Sequence, residues 1–190
     1  MIAYLKGSVS NVTGETATVI VNGTIGFQVW LAEDDLLTIK KGAEVEIFCY
    51  HHQSERSQEL YGFLSLAKKY FFKLLIDRVA GIGPKSALKI IGKSKLETLL
   101  EAIRAGDVGR LIAGGLGKKT AEKIIIGLQD KIGDAGGERN IKFISPIYQE
   151  ALEALQNLGY KRIEAGTALE RIDLTEKTLE AVIKEALRML

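Results

Sequence analysis

Two copies of one short glycine motif, 34 residues apart, constrain this sequence more than any other feature. The first copy, Gly81–Ala87, reads GIGPKSA, and the second, Gly115–Ala121, reads GLGKKTA. In both copies an apolar residue stands between two glycines, and a helical pattern begins directly after the second glycine. The pattern predicts two tight hairpins between helices, with the unpaired amides and the positive dipole end of a helix facing outward. A turn of this kind is an anion site.

The residues around both motifs suit contact with phosphate. Glycine lacks a Cβ atom, so a phosphate can approach the backbone, while Ile82 and Leu116 anchor their turns in the core. Residues 65–131 carry 14 basic and 6 acidic side chains, which favours a polyanionic partner. The predicted phosphate-binding residues are Gly81, Ile82, Gly83, Lys85, Gly115, Leu116, Gly117, Lys118, Lys119 and Thr120. The repeat is a helix-hairpin-helix signature, which predicts contacts to DNA phosphates that do not depend on base sequence.

Three other interpretations of the repeat are weaker. A purely structural duplication with solvated lysines is the plain alternative, and the basic block argues against it. A dinucleotide-binding loop needs a preceding strand, and its third glycine position is occupied here by Ser86 and Thr120. A phosphate-binding loop of the ATPase type needs a glycine where Ile112 stands and a Ser or Thr where Lys119 stands. No ATPase site is therefore predicted.

The first block, residues 1–64, predicts a small β-barrel. Asn22-Gly23 between two apolar runs indicates a hairpin with a type I′ turn, because these residues tolerate positive φ. The predicted strands are Ile2–Ser8, Val19–Val21, Phe27–Leu31, Val45–His51 and Glu59–Phe63, with a short helix across Glu33–Ile39. Five short strands and one helical insertion favour an oligonucleotide/oligosaccharide-binding (OB) barrel, although another small barrel would give the same pattern.

From Ser65 onward the apolar spacing is helical, with Ser65 as a cap and Pro84 in the first turn of the helix after the first motif. Ser94 and Glu97 predict a capping box, and Asp107 predicts another helix cap. The predicted fold class is a multidomain α+β chain. Its predicted parts are an OB barrel at 1–64, a tandem helix-hairpin-helix domain at 65–132, a flexible linker at 133–145 and a three-helix domain at 146–190.

Cysteine content and the N-terminal sequence bear on location and cofactors. Cys49 is the single cysteine, so an internal disulfide is excluded, and the start MIAYLKGSVS lacks the features of a signal peptide. We therefore expect a cytoplasmic protein without a membrane segment. Adjacent residues point to opposite faces of a strand, so His51 and His52 do not form a metal pair. No metal or cofactor is predicted.

Five segments in order along the chain resemble one family. They are MIAYLKG at the start, YGF at 61–63, GIGPKSA, GLGKKTAEKII, and the tail residues Ala154 and Leu155 with Leu158-Gly159-Tyr160-Lys161. The chain resembles the RuvA family, the Holliday junction binding subunits of the bacterial branch migration complex. The resemblance spans all three predicted domains.

This resemblance implies a function in homologous recombination and DNA repair. It implies a homotetramer, or two face-to-face tetramers, with barrels at the centre and paired hairpins holding four duplex arms. The implied partners are a four-way DNA junction, the hexameric ATPase RuvB and the resolvase RuvC. The C-terminal domain would contact RuvB, with Leu155, Leu158 and Tyr160 as the docking residues. Leu155, Leu158 and Leu187 are expected first in the core of the helical bundle, so only residues left exposed beside Tyr160 can form the docking face. The chain itself would have no catalytic residues, because the ATPase belongs to RuvB and DNA helicase activity to the whole complex.

Two positions depart from the family pattern. The family's second hairpin reads Pro-Gly-Ile-Gly, whereas this chain has Gly114 in the place of the proline and an approach that is one residue shorter. The family also carries two adjacent acids, a pin at the junction centre, where this chain has Glu55 and Arg56. We also expect Trp30 to be either a base-stacking platform or, as a tetrameric barrel favours, an interface aromatic.

Two other function classes compete with junction binding. A DNA glycosylase or nuclease uses the same hairpins beside a catalytic residue, but no compact acid cluster is present and Asp107 is accounted for as a helix cap. An RNA-binding scaffold would use the barrel face, but residues 1–64 carry 8 acidic and 4 basic groups and no basic-aromatic groove.

Overall fold

The computed structural model describes residues 1–55, 57–132, 146–174 and 177–190. The chain forms two units, Met1–Lys131 and Ile132–Leu190. The first unit contains both the barrel and the hairpin helices. The predicted linker, 133–145, and Arg56 lie outside the described residues.

Five strands close into a barrel in the order β1-β2-β3-β5-β4. Neighbouring strands are antiparallel except β3 and β5, which pair in parallel through Trp30–Tyr61 and Leu31–Gly62. The bounds are β1 Tyr4–Thr13, β2 Thr16–Val21, β3 Ile25–Leu31, β4 Glu44–Gln53 and β5 Gln58–Phe63, with helix α1 at Glu33–Thr38 between β3 and β4. This topology confirms the predicted OB-type barrel. Its core is made of alternating inward residues that include Leu5, Val9, Val19, Val29, Leu31, Ile47 and Cys49.

The predicted hairpin turn joins β2 and β3. Asn22 and Gly23 have φ angles of 51° and 72°. The Thr24 amide donates to the Val21 carbonyl at 3.2 Å. Both positive angles agree with the type I′ prediction.

The helices of the first unit follow the barrel directly. Their bounds are α2 Leu66–Arg78, α3 Pro84–Gly92, α4 Leu96–Arg104, α5 Val108–Ala113 and α6 Lys118–Leu128, with a 3₁₀ turn at Gln129–Lys131. The Ser65 side chain accepts from the Lys68 amide, and Asp107 accepts from the Arg110 amide, so both predicted caps are confirmed.

The predicted capping box of α4 is wrong. The N-cap residue is Lys95, and no side chain caps the helix. The hydroxyl of Ser94 instead donates to the carbonyl of Gly114 at 3.4 Å. A tertiary contact therefore takes the hydroxyl that local sequence assigned to the helix start.

A buried ion pair joins the barrel to α2. The Lys68 ammonium lies 2.5 Å from Asp34 Oδ2 and 2.6 Å from Asp35 Oδ1. The other oxygen of Asp35 accepts from the Leu64 amide at 3.4 Å. Burial raises the pKa of Asp35, and the hydrogen bond from Lys68 opposes that rise. Phe72 of α2 adds an aromatic contact to Phe63, with ring centroids 4.9 Å apart.

The second unit is a small helical bundle. Its helices are α7 Pro146–Asn157, α8 Arg162–Glu170 and α9 Leu179–Leu187. The shared core includes Tyr148, Ala151, Leu152, Leu155, Ala165, Leu169, Ile172, Val182 and Ala186. No helix in the described ranges is long and apolar enough to cross a membrane.

Candidate nucleic-acid interface

Both glycine motifs begin with a glycine at positive φ, although the hydrogen bonds that close the two turns differ. Gly81 and Gly115 have φ angles of 81° and 89°, a region that side-chain-bearing residues rarely adopt. The apolar residues that follow, Ile82 and Leu116, are 8% and 5% exposed. The Ile82 amide donates to Val79 at 3.1 Å, and the Leu116 amide donates to Leu111 at 3.2 Å. The side chain of each turn is thus anchored in the core while its backbone faces out.

The second glycine of each motif caps a helix and leaves its backbone open. Gly83 is the N-cap of α3 and Gly117 the N-cap of α6. A Cβ atom added at either glycine would meet no described atom within 4 Å. The first amides of a helix have no partner within the helix, so they are available to an anion here.

The two helix starts differ in the number of amides they offer. Pro84 supplies no N–H at the start of α3. At the start of α6 the amides of Lys118 and Lys119 are both present, and the Thr120 amide turns back to the Gly117 carbonyl at 2.9 Å. The side chains of Lys118 and Lys119 are exposed beside them. The second helix start therefore offers more free amides and more lysine side chains than the first.

Lys85, predicted to contact phosphate, is directed at the barrel. Its ammonium lies 2.9 Å from Glu59 Oε1 and 4.8 Å from the centroid of Trp30. The hydrogen bonds from Lys85 and from the Tyr61 hydroxyl hold the pKa of Glu59 below its usual range. The side chain of Lys85 stays 57% exposed. The Lys85 ammonium lies over the indole ring of Trp30, in a cation–π contact.

Two lysines that sequence reasoning missed contact the hairpin turns. Lys123 of α6 donates to the carbonyl of Ala80 at 3.4 Å. Lys93, just after α3, donates to the carbonyl of Gly115. Each lysine belongs to one repeat and contacts the turn of the other. The spacing of residues within one motif cannot predict a hydrogen bond to the other motif, so these two contacts could not be found from the sequence.

Glu55 lies at the tip of the β4–β5 hairpin. The Ser54 amide donates to the Ser57 carbonyl at 2.9 Å and closes this loop. Arg56, the other residue of the predicted pin, lies outside the described residues.

The three tail residues predicted to dock a partner differ in their exposure to solvent. Leu155 is fully buried in the core of the second unit, which agrees with the expected core position and leaves it outside the exposed surface. Leu158 is 61% exposed. Tyr160 is half-buried and lines a groove of about 490 Å³ with Ile163 and Met189. An apolar surface remains available beside Tyr160.

Within the described residues, no three His, Cys, Asp or Glu side chains come together as a metal site. Cys49 is buried in the barrel, and burial raises its pKa to about 11.

Three family models match the chain in succession. Residues 1–62 match the RuvA N terminal domain, 72–130 the SAM-like helix-hairpin-helix tandem, and 146–190 the RuvA C-terminal domain. These matches fall on the barrel, the hairpin helices and the second unit.

Curated relatives align along the whole chain. The Holliday junction branch migration complex subunit RuvA of Opitutus terrae is 36% identical over 200 residues, covering 98% of this chain and 100% of the relative. The subunit of the same name from Thermodesulfovibrio yellowstonii is 36% identical over 191 residues, covering 100% and 97%. That of Listeria monocytogenes is 34% identical over 201 residues, covering 100% and 99%.

Proposed function

This chain belongs to the RuvA family, and we propose from that premise that it binds four-way DNA junctions and holds them open for branch migration. The observation that carries the proposal is the pair of matching hairpins, each with an open N-cap glycine above a buried apolar anchor. Backbone amides and lysines bind phosphates, so we propose recognition of DNA structure rather than base sequence.

The wider assembly is part of the same proposal. We propose a homotetramer, alone or as an octamer, that recruits and regulates the ATPase RuvB and works beside RuvC in recombination and repair. The chain itself is proposed to be non-catalytic. We place this work in the cytoplasm, which the buried, unpaired Cys49 fits.

A gel-shift comparison tests the proposal directly. A four-way junction, a linear duplex and an RNA of matched arm sequence are titrated with the full-length protein at several salt concentrations. We expect the junction to bind most tightly, with no change when its arm sequences are scrambled. Equal affinity for the linear duplex would contradict junction recognition. Strand cleavage or base release in the same samples would support a nuclease or glycosylase instead.

Replacing Glu59 with glutamine is expected to tighten junction binding several-fold. Without the carboxylate, Lys85 is released from the barrel to a phosphate, and the slope of log affinity against log salt steepens by up to about 0.9 for each subunit that binds DNA. Glu15→Gln is the matched control, because it removes the same charge and frees Lys89, one turn further along α3, from a 3.4 Å pair. Equal gains from both variants would indicate a general charge effect.

Replacing Glu55 with glutamine is expected to tighten junction binding and slow branch migration. In the proposed tetramer four copies of Glu55 approach the crossover, where they repel phosphates across a screening length of roughly 8 Å. Junction affinity and RuvB-driven migration rates measure both effects. Glu44→Gln, with the same charge loss at the other end of β4, should change neither. Unchanged values for Glu55→Gln would remove this residue from the junction centre.

Truncation after Ser145 is expected to separate DNA binding from motor coupling. The first unit contains both hairpins and the barrel core, so junction affinity should be retained while stimulation of RuvB is lost. In the full chain, Leu158→Glu should reproduce the loss of stimulation, because it places a charge on the exposed apolar surface. Gln156→Glu adds the same charge on α7 as a control. Loss of junction affinity on truncation would show that the tail contributes to DNA binding.

A further inference from the structure

The turn of the second hairpin has an unusual neighbour. A Cβ atom added to Gly114 would lie 2.9 Å from Ser94 Oγ. The Ser94 hydroxyl therefore occupies space that a side chain at position 114 would need. The Ser94 hydroxyl fits here because residue 114 has no side chain.

Two adjacent residues of the first repeat donate to this turn. Ser94 Oγ donates to the Gly114 carbonyl at 3.4 Å, and Lys93 Nζ donates to the Gly115 carbonyl. The Lys93 side chain also packs on the turn, since its Cδ lies 3.6 Å from where a Cβ of Gly115 would be. Both carbonyls belong to the turn that ends α5, where the helix no longer supplies their partners.

The segment that carries these donors is itself held in place. Lys93 is the C-cap of α3, and its amide donates to the Ile90 carbonyl at 3.3 Å. The preceding Gly92 packs so closely on α1 that a Cβ there would be 2.9 Å from the Glu33 amide nitrogen. The barrel thus fixes the end of α3, and the end of α3 supports the second hairpin.

We propose that Lys93 and Ser94 are positioning residues for the second phosphate-binding hairpin. They hold the Gly114–Gly115 turn in the absence of a proline, and so orient the amides of Gly117, Lys118 and Lys119 before DNA arrives. This inference rests on the proposed function, since it assigns the orientation to phosphate binding. A turn that is already ordered loses less conformational entropy when it binds.

Amide hydrogen exchange and junction titration together test the inference, using the full-length variant Lys93→Met with Ser94→Ala. The Leu116 and Gly115 amides, bonded within the second turn, should exchange faster, while the Ile82 amide of the first turn should not change. Junction affinity should fall roughly tenfold, the cost of ordering about one backbone residue on binding. Lys95→Met removes the same charge two residues away and should affect neither measurement.

Two further variants separate positioning from charge. Lys93→Arg keeps a donor and a cation, so it should retain most of the junction affinity. Gly114→Ala should weaken binding in the native chain, where the added methyl group displaces the Ser94 hydroxyl, but cost little in the Ser94→Ala background. This non-additivity is expected only if the two residues act through their contact.

Unchanged Leu116 exchange in the double variant, or additive effects of Gly114→Ala and Ser94→Ala, would overturn the support of the turn. Faster exchange with full junction affinity would overturn the positioning role alone, provided that Lys118→Ala with Lys119→Ala weakens binding. A native protein that binds no junction would overturn the proposed function and the positioning role with it. The exchange measurement needs no DNA and would still report on the turn.

Discussion

Replacing Lys118 and Lys119 together with alanine is expected to weaken junction binding by about 60-fold at 0.1 M salt for each subunit whose second hairpin contacts the DNA. Each lost phosphate contact reduces the slope of log affinity against log salt by about 0.9, so the slope should fall by about 1.8 for each such subunit. Both side chains are exposed in the first turn of α6, beside open amides and the positive end of the helix dipole. Neither takes part in the ion pairs found among the described residues, in contrast to Lys85.

The measurement is a set of junction titrations across a range of salt concentrations. The control replaces Lys73 and Lys95, two exposed lysines of the same basic region, with alanine. This control removes the same total charge, but from positions outside the second hairpin. It should therefore lower affinity only slightly and leave the slope of log affinity against log salt nearly unchanged. An unchanged slope with full affinity for Lys118→Ala with Lys119→Ala would remove these lysines from the DNA contact. Base preference should not change, since phosphates carry no sequence information.

Replacing Lys68 with methionine is expected to lower the free energy of unfolding of the first unit by about 3 kcal/mol. The substitution leaves the carboxylate of Asp35 without its cation, and that side chain is only 6% exposed. An uncompensated buried charge is expensive because the protein interior cannot solvate it. Trp30 is the only tryptophan in the sequence and lies in the barrel, so its fluorescence follows unfolding of this unit in the full-length protein.

The pH dependence of this loss has a definite sign. Burial raises the pKa of Asp35, and removal of Lys68 takes away the hydrogen bond that opposes the rise. The folded variant therefore binds the Asp35 proton more tightly than the unfolded chain does. The loss of stability is complete above the raised pKa of the folded state, and it shrinks as the pH falls through that pKa.

Lys6→Met is the matched control for this prediction. It breaks the Lys6–Glu46 pair, whose side chains are 66% and 55% exposed, and should cost far less stability than Lys68→Met because water solvates the remaining charge. Similar losses for the two variants would contradict the role assigned to burial. Asp35→Asn combined with Lys68→Met should recover part of the stability, since the charge left without its partner is then absent.

Features with a local cause were predictable from the sequence. The two glycine motifs predicted both hairpin turns, because glycine adopts positive φ more readily than other residues do, and Gly81 and Gly115 both have positive φ. Asn22-Gly23 predicted its turn for the same reason. Alternation of apolar residues predicted the barrel strands, and short polar residues predicted the caps at Ser65 and Asp107.

Features that depend on contacts between distant segments were not predictable. Nothing near Lys85 in the sequence indicates that Glu59 and Trp30 attract its ammonium. Ser94 has the right spacing for a helix cap, but a carbonyl 20 residues away takes its hydroxyl.

The sequence by itself determined which backbone turns this protein makes, which segments form helices or strands, and the positive charge of its hairpin region. Some bounds differ, since β1 runs over Tyr4–Thr13 and not over the predicted Ile2–Ser8. Those properties follow from φ preferences, side-chain periodicity and net charge, which act over a few residues or add up regardless of geometry. The tertiary structure alone decided which lysines are paired and which are open to phosphate. Whether a lysine is paired depends on the distance from its ammonium to nearby carboxylates, and packing between the barrel and the helices sets those distances.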